Sequence, residues 1–177
     1  MNVILIGYRG TGKSSIGRQL AARLQRPFVD ADEVLEQRVG CSIADYFARE
    51  GEQAFRDRES EILAELVTAT NCVISLGGGA ILRPQNRQAI RQGGLVVWLQ
   101  ADPGTIASRL HADATTAARR PALTHHDPLT EIRTLLEQRW PLYAECAGHT
   151  IDTEQKSLDD CVDEIVCLLN HPSRMKS

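Results

Sequence analysis

The sequence predicts a three-layer α/β domain in which helices cover both faces of a parallel sheet of about five strands. Short, nearly continuous apolar runs recur along the chain, and amphipathic helical patterns separate them. Parallel strands need such crossover connections, which are almost always right-handed. In folds of this class ligands bind at the carboxyl ends of the strands. A chain of 177 residues is long enough for one such domain with a complete apolar core.

The predicted strands are of two kinds. Residues 3–6, 72–76 and 95–99 are apolar runs of the type found in strands buried on both faces. Two weaker strands are marked by Val29, before Asp30, and by Thr150 and Ile151, before Asp152.

The intervening segments carry helical periodicity and helix start signals. Ile16, Leu20 and Leu24 recur every four residues, and residues 62–67 place four apolar side chains on one face. Further helix starts are marked by Asp-Pro pairs at 102–103 and 127–128 and by a capping box at 157–160. We therefore predict one domain over residues 1–170.

Two segments lack this organisation. Residues from about 112 to 127 are rich in small and polar side chains without periodicity, which is typical of a mobile lid. Residues 171–177 form a polar tail that we expect to be disordered.

Composition narrows the class of partner and the compartment. A net charge of −3 and a pI near 6.0 argue against a nucleic-acid backbone or an anionic membrane as the main partner. The five cysteines are scattered without a CxxC pair, which fits neither a disulfide framework nor a zinc site. With no signal peptide and no long apolar run, the sequence predicts a cytoplasmic protein with a small-molecule partner.

Residues 7–14, GYRGTGKS, match the phosphate-binding loop GxxxxGK[ST] between a predicted strand and an amphipathic helix. In such loops backbone N–H groups surround the β-phosphate, Lys13 would reach the β- and γ-phosphates, and Ser14 would ligate Mg²⁺. The alternative is an ordinary glycine-rich turn, which the strand–loop–helix context disfavours. The motif indicates a nucleoside triphosphate without saying what is done with it.

A second acid is needed for the metal, because the apolar run at 73–76 leads into three glycines rather than an aspartate. Asp30 and Asp32 leave the second predicted strand as a D-x-D pair. One could hold magnesium water and the other a substrate hydroxyl. The alternative for Asp32 is a capping role for a helix that starts near Glu33.

The three glycines at 77–79 would bring bare backbone N–H groups to the crevice, where they can contact an anion, although a tight turn would also want glycine. Four arginines are candidates for binding anionic ligands, although any single arginine is more often a solvated surface charge. They are Arg56, Arg109, Arg120 and Arg139.

Taken together, six motifs in this order resemble the shikimate kinase family over nearly the whole chain. They are the phosphate loop, D-A-D at 30–32, F-R-D-R-E at 55–59, S-L-G-G-G-A at 75–80, R-R-P-A-L at 119–123 and R-W-P-L-Y at 139–143. The resemblance implies a P-loop fold like that of nucleoside-monophosphate kinases, with five parallel strands. It also implies transfer of the ATP γ-phosphoryl group to the 3-hydroxyl of shikimate by a monomeric enzyme.

The resemblance also implies residue roles. Lys13, Asp32 and the lid residue Arg120 would be catalytic, with Arg119 as the neighbouring alternative to Arg120. Ser14 and Asp30 would serve Mg²⁺, and Glu59 would orient Arg56. ATP would be held by Gly10, Thr11, Gly12, Lys13, Ser14, Ser15, Arg109, Arg120 and Gln155. Shikimate would be held by Asp32, Arg56, Gly78, Gly79 and Arg139.

Two other functions stay open on the residues alone. One is a kinase for another small acid such as a gluconate-type sugar acid, since the phosphate loop and D-x-D pair do not specify the acceptor. The other is a nucleotide-dependent switch. A GTPase switch would carry an N-K-x-D element for guanine, and the sequence has none.

Overall fold

A computed structural model describes residues 1–112 and 127–170, in which helices cover both faces of a five-stranded parallel sheet. The strands are β1 (Asn2–Ile6), β2 (Phe28–Asp30), β3 (Val73–Ser75), β4 (Gly94–Gln100) and β5 (His149–Asp152). The helices are α1 (Lys13–Leu24), α2 (Ala31–Val39), α3 (Ile43–Thr68), α4 (Pro84–Gly93), α5 (Pro103–Ala112), α6 (Pro128–Cys146) and α7 (Leu158–Asn170). The predicted lid between Ala112 and Asp127, with Arg119 and Arg120, and the predicted tail lie outside the described residues.

The strand order is β2-β3-β1-β4-β5, and every pair is parallel. Ile4 of β1 lies opposite Ile74 of β3 on one side and Val96 of β4 on the other. All five carboxyl ends therefore meet at one edge, and the chain leaves β1 and β3 at its centre. The predicted fold class and all five predicted strands are confirmed.

Alternate residues of β1 build two separate cores. Ile4 and Ile6 pack with side chains of α3, α4 and α6 on one face. Val3 and Leu5 pack with side chains of α1 and α7 on the other face. Each such fully buried aliphatic side chain contributes roughly 1.5–3 kcal/mol. This double burial explains why the central strand is apolar at every position after Asn2.

The predicted helix starts are confirmed with one correction. Asp127 caps α6 through Thr130 N, and Ser157 and Asp160 form the reciprocal capping box of α7. The alternative in which Asp32 caps a helix near Glu33 is wrong. The helix α2 begins at Ala31, and its cap is Asp30, whose Oδ1 accepts from Asp32 N at 3.0 Å. Asp32 therefore does not cap this helix.

None of the helices in the described part of the chain has the length and apolarity of a membrane span.

Asn2 ties together the edge of the sheet that lies opposite the carboxyl ends. Its side chain is 2% exposed, and its Nδ2 donates to the carbonyl oxygens of Ala69 at 2.7 Å and Gly93 at 3.2 Å. Its Oδ1 accepts from Cys72 N at 3.0 Å. One amide thus satisfies backbone groups after α3, at the end of α4 and before β3. Nothing in the sequence pattern pointed to this role.

We expect Asn2→Leu to lower the free energy of unfolding by about 2–4 kcal/mol, because buried carbonyl and N–H groups lose their partner. Urea unfolding followed by circular dichroism measures the change. Gln88→Leu, an exposed substitution on α4, is the control and should shift stability by less than about 0.5 kcal/mol. Equal midpoints for the two variants would contradict this account of Asn2.

Candidate active site

The phosphate loop connects β1 to α1 at the centre of the sheet edge. Gly12 precedes α1 with φ 91° and, as a glycine, brings no capping side chain, which leaves the first N–H groups of the helix available for an anion. The Lys13 Nζ donates to the carbonyl oxygens of Gly7 and Tyr8, both at 2.9 Å, and the side chain is 9% exposed. The loop thus holds its lysine against its own backbone, next to the site that the phosphates would take.

A large cavity of about 580 Å³ opens in front of this loop. Its lining includes the predicted nucleotide and metal residues Gly10, Thr11, Gly12, Lys13, Ser14, Ser15, Asp30, Asp32 and Arg109. On the β5 side the lining comes from Thr153 and Lys156, whereas the predicted contact Gln155 is exposed between them. The residues singled out from separate motifs therefore face one space.

Ser14 and Asp30 meet at the floor of the large cavity. The Ser14 hydroxyl donates to Asp30 Oδ2 at 2.7 Å, while Asp30 Oδ1 caps α2. A hydroxyl and a carboxylate beside a phosphate site are the hard oxygen ligands that Mg²⁺ takes, usually with substrate phosphates and water completing the shell. The donor set fits magnesium. In residues 1–112 and 127–170 no cluster of three or more His, Cys, Asp or Glu side chains could hold a metal by itself.

Arg109 of α5 links the phosphate loop to the chain after β5. Its Nη2 donates to the Thr153 carbonyl at 2.9 Å, and its Nη1 donates to Thr153 Oγ1 at 3.0 Å. Thr153 is itself anchored, because its Oγ1 donates to the Gln100 carbonyl at 2.9 Å. The guanidinium is thus fixed at the wall of the large cavity, a position suited to a nucleotide. Sequence reasoning missed Thr153, which no motif marks.

Two titratable groups complete this wall. A hydrogen bond to Glu164 raises the pKa of Lys156, so the ammonium stays charged at the cavity edge. Burial raises the pKa of the Cys161 thiol, which keeps it neutral.

A small cavity of about 60 Å³ adjoins the large one and is lined by predicted substrate residues. Arg56 of α3 is held by Glu59, a residue that is only 7% exposed. The distance from Arg56 Nη1 to Glu59 Oε2 is 2.7 Å. The Arg56 guanidinium lies so close to Gly79 that a Cβ atom there would collide with it. A larger residue at that position would have to displace the Arg56 guanidinium, which gives the three-glycine motif a steric reason beside its predicted anion contact.

Arg139 of α6 also lines the small cavity. Its Nη1 donates to the Gly78 carbonyl at 3.3 Å, and the Tyr143 hydroxyl donates to the same oxygen at 2.7 Å. Tyr143 was missed as a functional residue, although it lies one helical turn after Arg139 in the R-W-P-L-Y motif. Two donors on one carbonyl hold the glycine segment in place between the two arginines.

The predicted substrate residues are divided between the two cavities. Asp32 lines the large cavity, Arg56, Gly79 and Arg139 line the small one, and Gly78 lines both. A ligand bridging them would place a carboxylate between the arginines and a hydroxyl toward Asp32 and the phosphate loop.

Comparison with known proteins assigns the family. The family model described as shikimate kinase matches residues 9–170. The chain belongs to the shikimate kinase family. It is 46% identical to the shikimate kinase of Symbiobacterium thermophilum over 94% of both chains. It is also 44% identical to that of Rhodopirellula baltica over 93% of this chain and 88% of the relative.

Solved structures of shikimate kinases share the fold. The enzyme from Acinetobacter baumannii, solved in complex with shikimate, has a TM-score of 0.89 at 36% identity and covers 99% of this chain and 95% of its own. A gluconokinase from Sinorhizobium meliloti has a TM-score of 0.61 at 19% identity over 97% of this chain and 92% of its own, a likeness of fold alone.

We expect Arg109→Ala to weaken ADP binding about tenfold, because it removes a fixed guanidinium worth one charge-assisted contact. Titration of the protein with a fluorescent ADP analogue and Mg²⁺ measures the dissociation constant. Arg133→Ala, exposed on α6, is the matched control and should leave the constant unchanged. Equal affinities for the two variants would refute a nucleotide role for Arg109.

Proposed function

We propose that the protein transfers the γ-phosphoryl group of ATP to the 3-hydroxyl of shikimate, forming shikimate 3-phosphate and ADP in aromatic amino acid biosynthesis. Membership of the shikimate kinase family supports this reaction. In the structure itself, the observation that carries it is the junction of a phosphate-loop cavity with a small cavity between two arginines.

The small cavity suits a monocarboxylate. A planar guanidinium offers two parallel N–H donors to a carboxylate, and Arg56 and Arg139 approach the same cavity from different helices. The Gly78–Gly79 backbone would add contacts that need no side chain. This clamp, formed by Arg56, Arg139 and the Gly78–Gly79 backbone, would fix the shikimate ring, so that the ring hydroxyls reach into the large cavity beside Asp32.

Asp32 would bind shikimate hydroxyls there and act as base or orienter for the 3-hydroxyl. The attacking oxygen bonds to the γ-phosphorus as the bond between that phosphorus and the β–γ bridging oxygen breaks. The hydroxyl proton passes toward the Asp32 carboxylate, and the negative charge of the leaving ADP is met by Lys13 and the α1 N-terminus. Arg120 would neutralise charge on the transferring group.

The ATP residues would be Gly10, Thr11, Gly12, Lys13, Ser14, Ser15 and Arg109, with Gln155 at the edge. Ser14 and Asp30 would hold Mg²⁺, which when bound neutralises phosphate charge. A cytoplasmic location and a monomeric state belong to the same proposal. All five cysteines lie in the described part of the chain as free thiols, and a reducing compartment keeps thiols in this state.

A kinase for another small acid is the remaining alternative, because the phosphate loop and D-x-D pair serve many acceptors. The two arginines and the glycine segment favour a small carboxylate over a neutral sugar. Substrate comparison decides between acids.

We expect ADP release from Mg–ATP to rise by more than about a hundredfold with shikimate, and far less with quinate or gluconate, because an acceptor must fill the clamp and reach Asp32 at once. A coupled assay of the purified protein with each acceptor and with none measures this. Stimulation by gluconate alone would overturn the proposed acceptor while leaving the phosphate-loop chemistry in place.

The roles of the two cavities predict different kinetic effects. Arg56→Ala and Arg139→Ala should raise KM for shikimate by about tenfold or more, since they remove substrate contacts. Asp32→Asn and Lys13→Ala should instead lower kcat by about a hundredfold or more, since they act on the reacting atoms. An Asp32→Asn enzyme with wild-type kcat would remove the base-or-orienter role.

A further inference from the structure

Arg9 occupies the junction of the two cavities, although its position in the phosphate-loop motif admits any residue. Arg9, Ile43 and Gly78 line both cavities, and among the residues that the structure describes Arg9 is the one charged side chain that does so. Its side chain is 21% exposed. None of the roles assigned above uses it.

A buried carboxylate on α6 holds this arginine. Arg9 Nη2 lies 3.4 Å from Oε1 of Glu131, whose side chain is 4% exposed. The Nε of Arg9 is also buried, and no acceptor within residues 1–112 and 127–170 pairs with it. A buried N–H without a partner is costly, so an arriving acceptor atom would be favoured there.

Arg9 and Arg139 lie beside the same aromatic ring. The guanidinium carbons of Arg9 and Arg139 each lie 5.8 Å from the centre of the Tyr8 ring. Both arginines therefore flank Tyr8, which lines the small cavity with them.

The charges around the small cavity point to an anion of single charge. Among the residues that the structure describes, three guanidiniums line it, those of Arg9, Arg56 and Arg139. Two buried carboxylates, Glu59 and Glu131, pair with Arg56 and Arg9. The further partner of Arg56, Glu52, is 65% exposed, so water screens its charge. Within residues 1–112 and 127–170 one positive charge therefore remains at this cavity, which matches one carboxylate.

We propose that Arg9 is a third contact for the acceptor carboxylate and that Glu131 is its positioning residue. The inference rests on the proposed function and deepens it by adding a residue that selects for an acid. Glu131 fixes the direction of the guanidinium and offsets its charge, so that Arg9 and Arg139 can lie beside the same ring without a ligand.

The test compares wild type with Arg9→Met, which keeps much of the side-chain volume and removes the charge. The acceptors are shikimate and its analogue with the carboxylate reduced to a primary alcohol. For shikimate, KM and the dissociation constant from calorimetry should both rise about tenfold to a hundredfold, with kcat within about threefold. For the alcohol, kcat/KM should be the same in both proteins.

Glu131→Gln tests the positioning role. It should raise KM for shikimate about fivefold with kcat unchanged, and the double variant should be no worse than Arg9→Met alone, because Glu131 acts through Arg9. Glu137→Gln, exposed on the same helix, is the control and should have wild-type kinetics. Thermal unfolding of every variant shows whether a loss follows from misfolding.

Four results would overturn the proposal. A fall in kcat without a change in KM would place Arg9 on the transferring phosphoryl group. Equal losses for shikimate and the alcohol would exclude a carboxylate contact, and additive losses in the double variant would separate Glu131 from Arg9. Wild-type protein that responds to shikimate while Arg9→Met keeps its KM contradicts this inference alone, whereas wild-type protein that ignores shikimate contradicts the proposed function as well.

Discussion

Repulsion between two anions is the constraint on which this site depends. A triphosphate and a carboxylate must lie side by side on a protein whose own net charge is −3. The structure concentrates positive charge at one edge of the sheet, from the α1 N-terminus, Lys13 and arginines on three helices. These cations repel one another, so each needs a fixed partner that keeps it from turning away into solvent.

The cations are held in place by fixed partners. Two loop carbonyls hold Lys13, Thr153 holds Arg109, and Glu59 holds Arg56. Such preorganisation matters because phosphoryl transfer depends chiefly on positioning and electrostatics. The loss of a holding residue should therefore resemble a weaker version of the loss of its cation.

The sheet separates stability from chemistry. Its apolar strands anchor both cores, and Asn2 satisfies backbone groups at the edge opposite the site. The carboxyl ends are left to glycines, hydroxyls and charges, which pack poorly but bind ligands. This division explains why the apolar runs predicted the fold so directly, while the segments that follow them predicted the site.

The sequence by itself determined the fold class, the five strands, the helix starts at Asp127 and Ser157, and the phosphate loop. These features follow from local periodicity, capping and a contiguous motif. It also suggested the cavity residues motif by motif, but not how they divide between two cavities. Asp30 shows the limit, since only the structure revealed that it caps α2 and contacts Ser14 at the same time.

Only the tertiary structure decided the contacts made across distant elements. Arg9 meets Glu131 over 122 positions, and Arg109 meets Thr153 over 44. No periodicity or motif in the sequence indicates either pair, because the order of the parallel strands in the sheet is what brings these distant residues together. The sequence alone therefore indicated which chemistry this edge performs, and the packing of helices over the sheet decided which charges face each ligand.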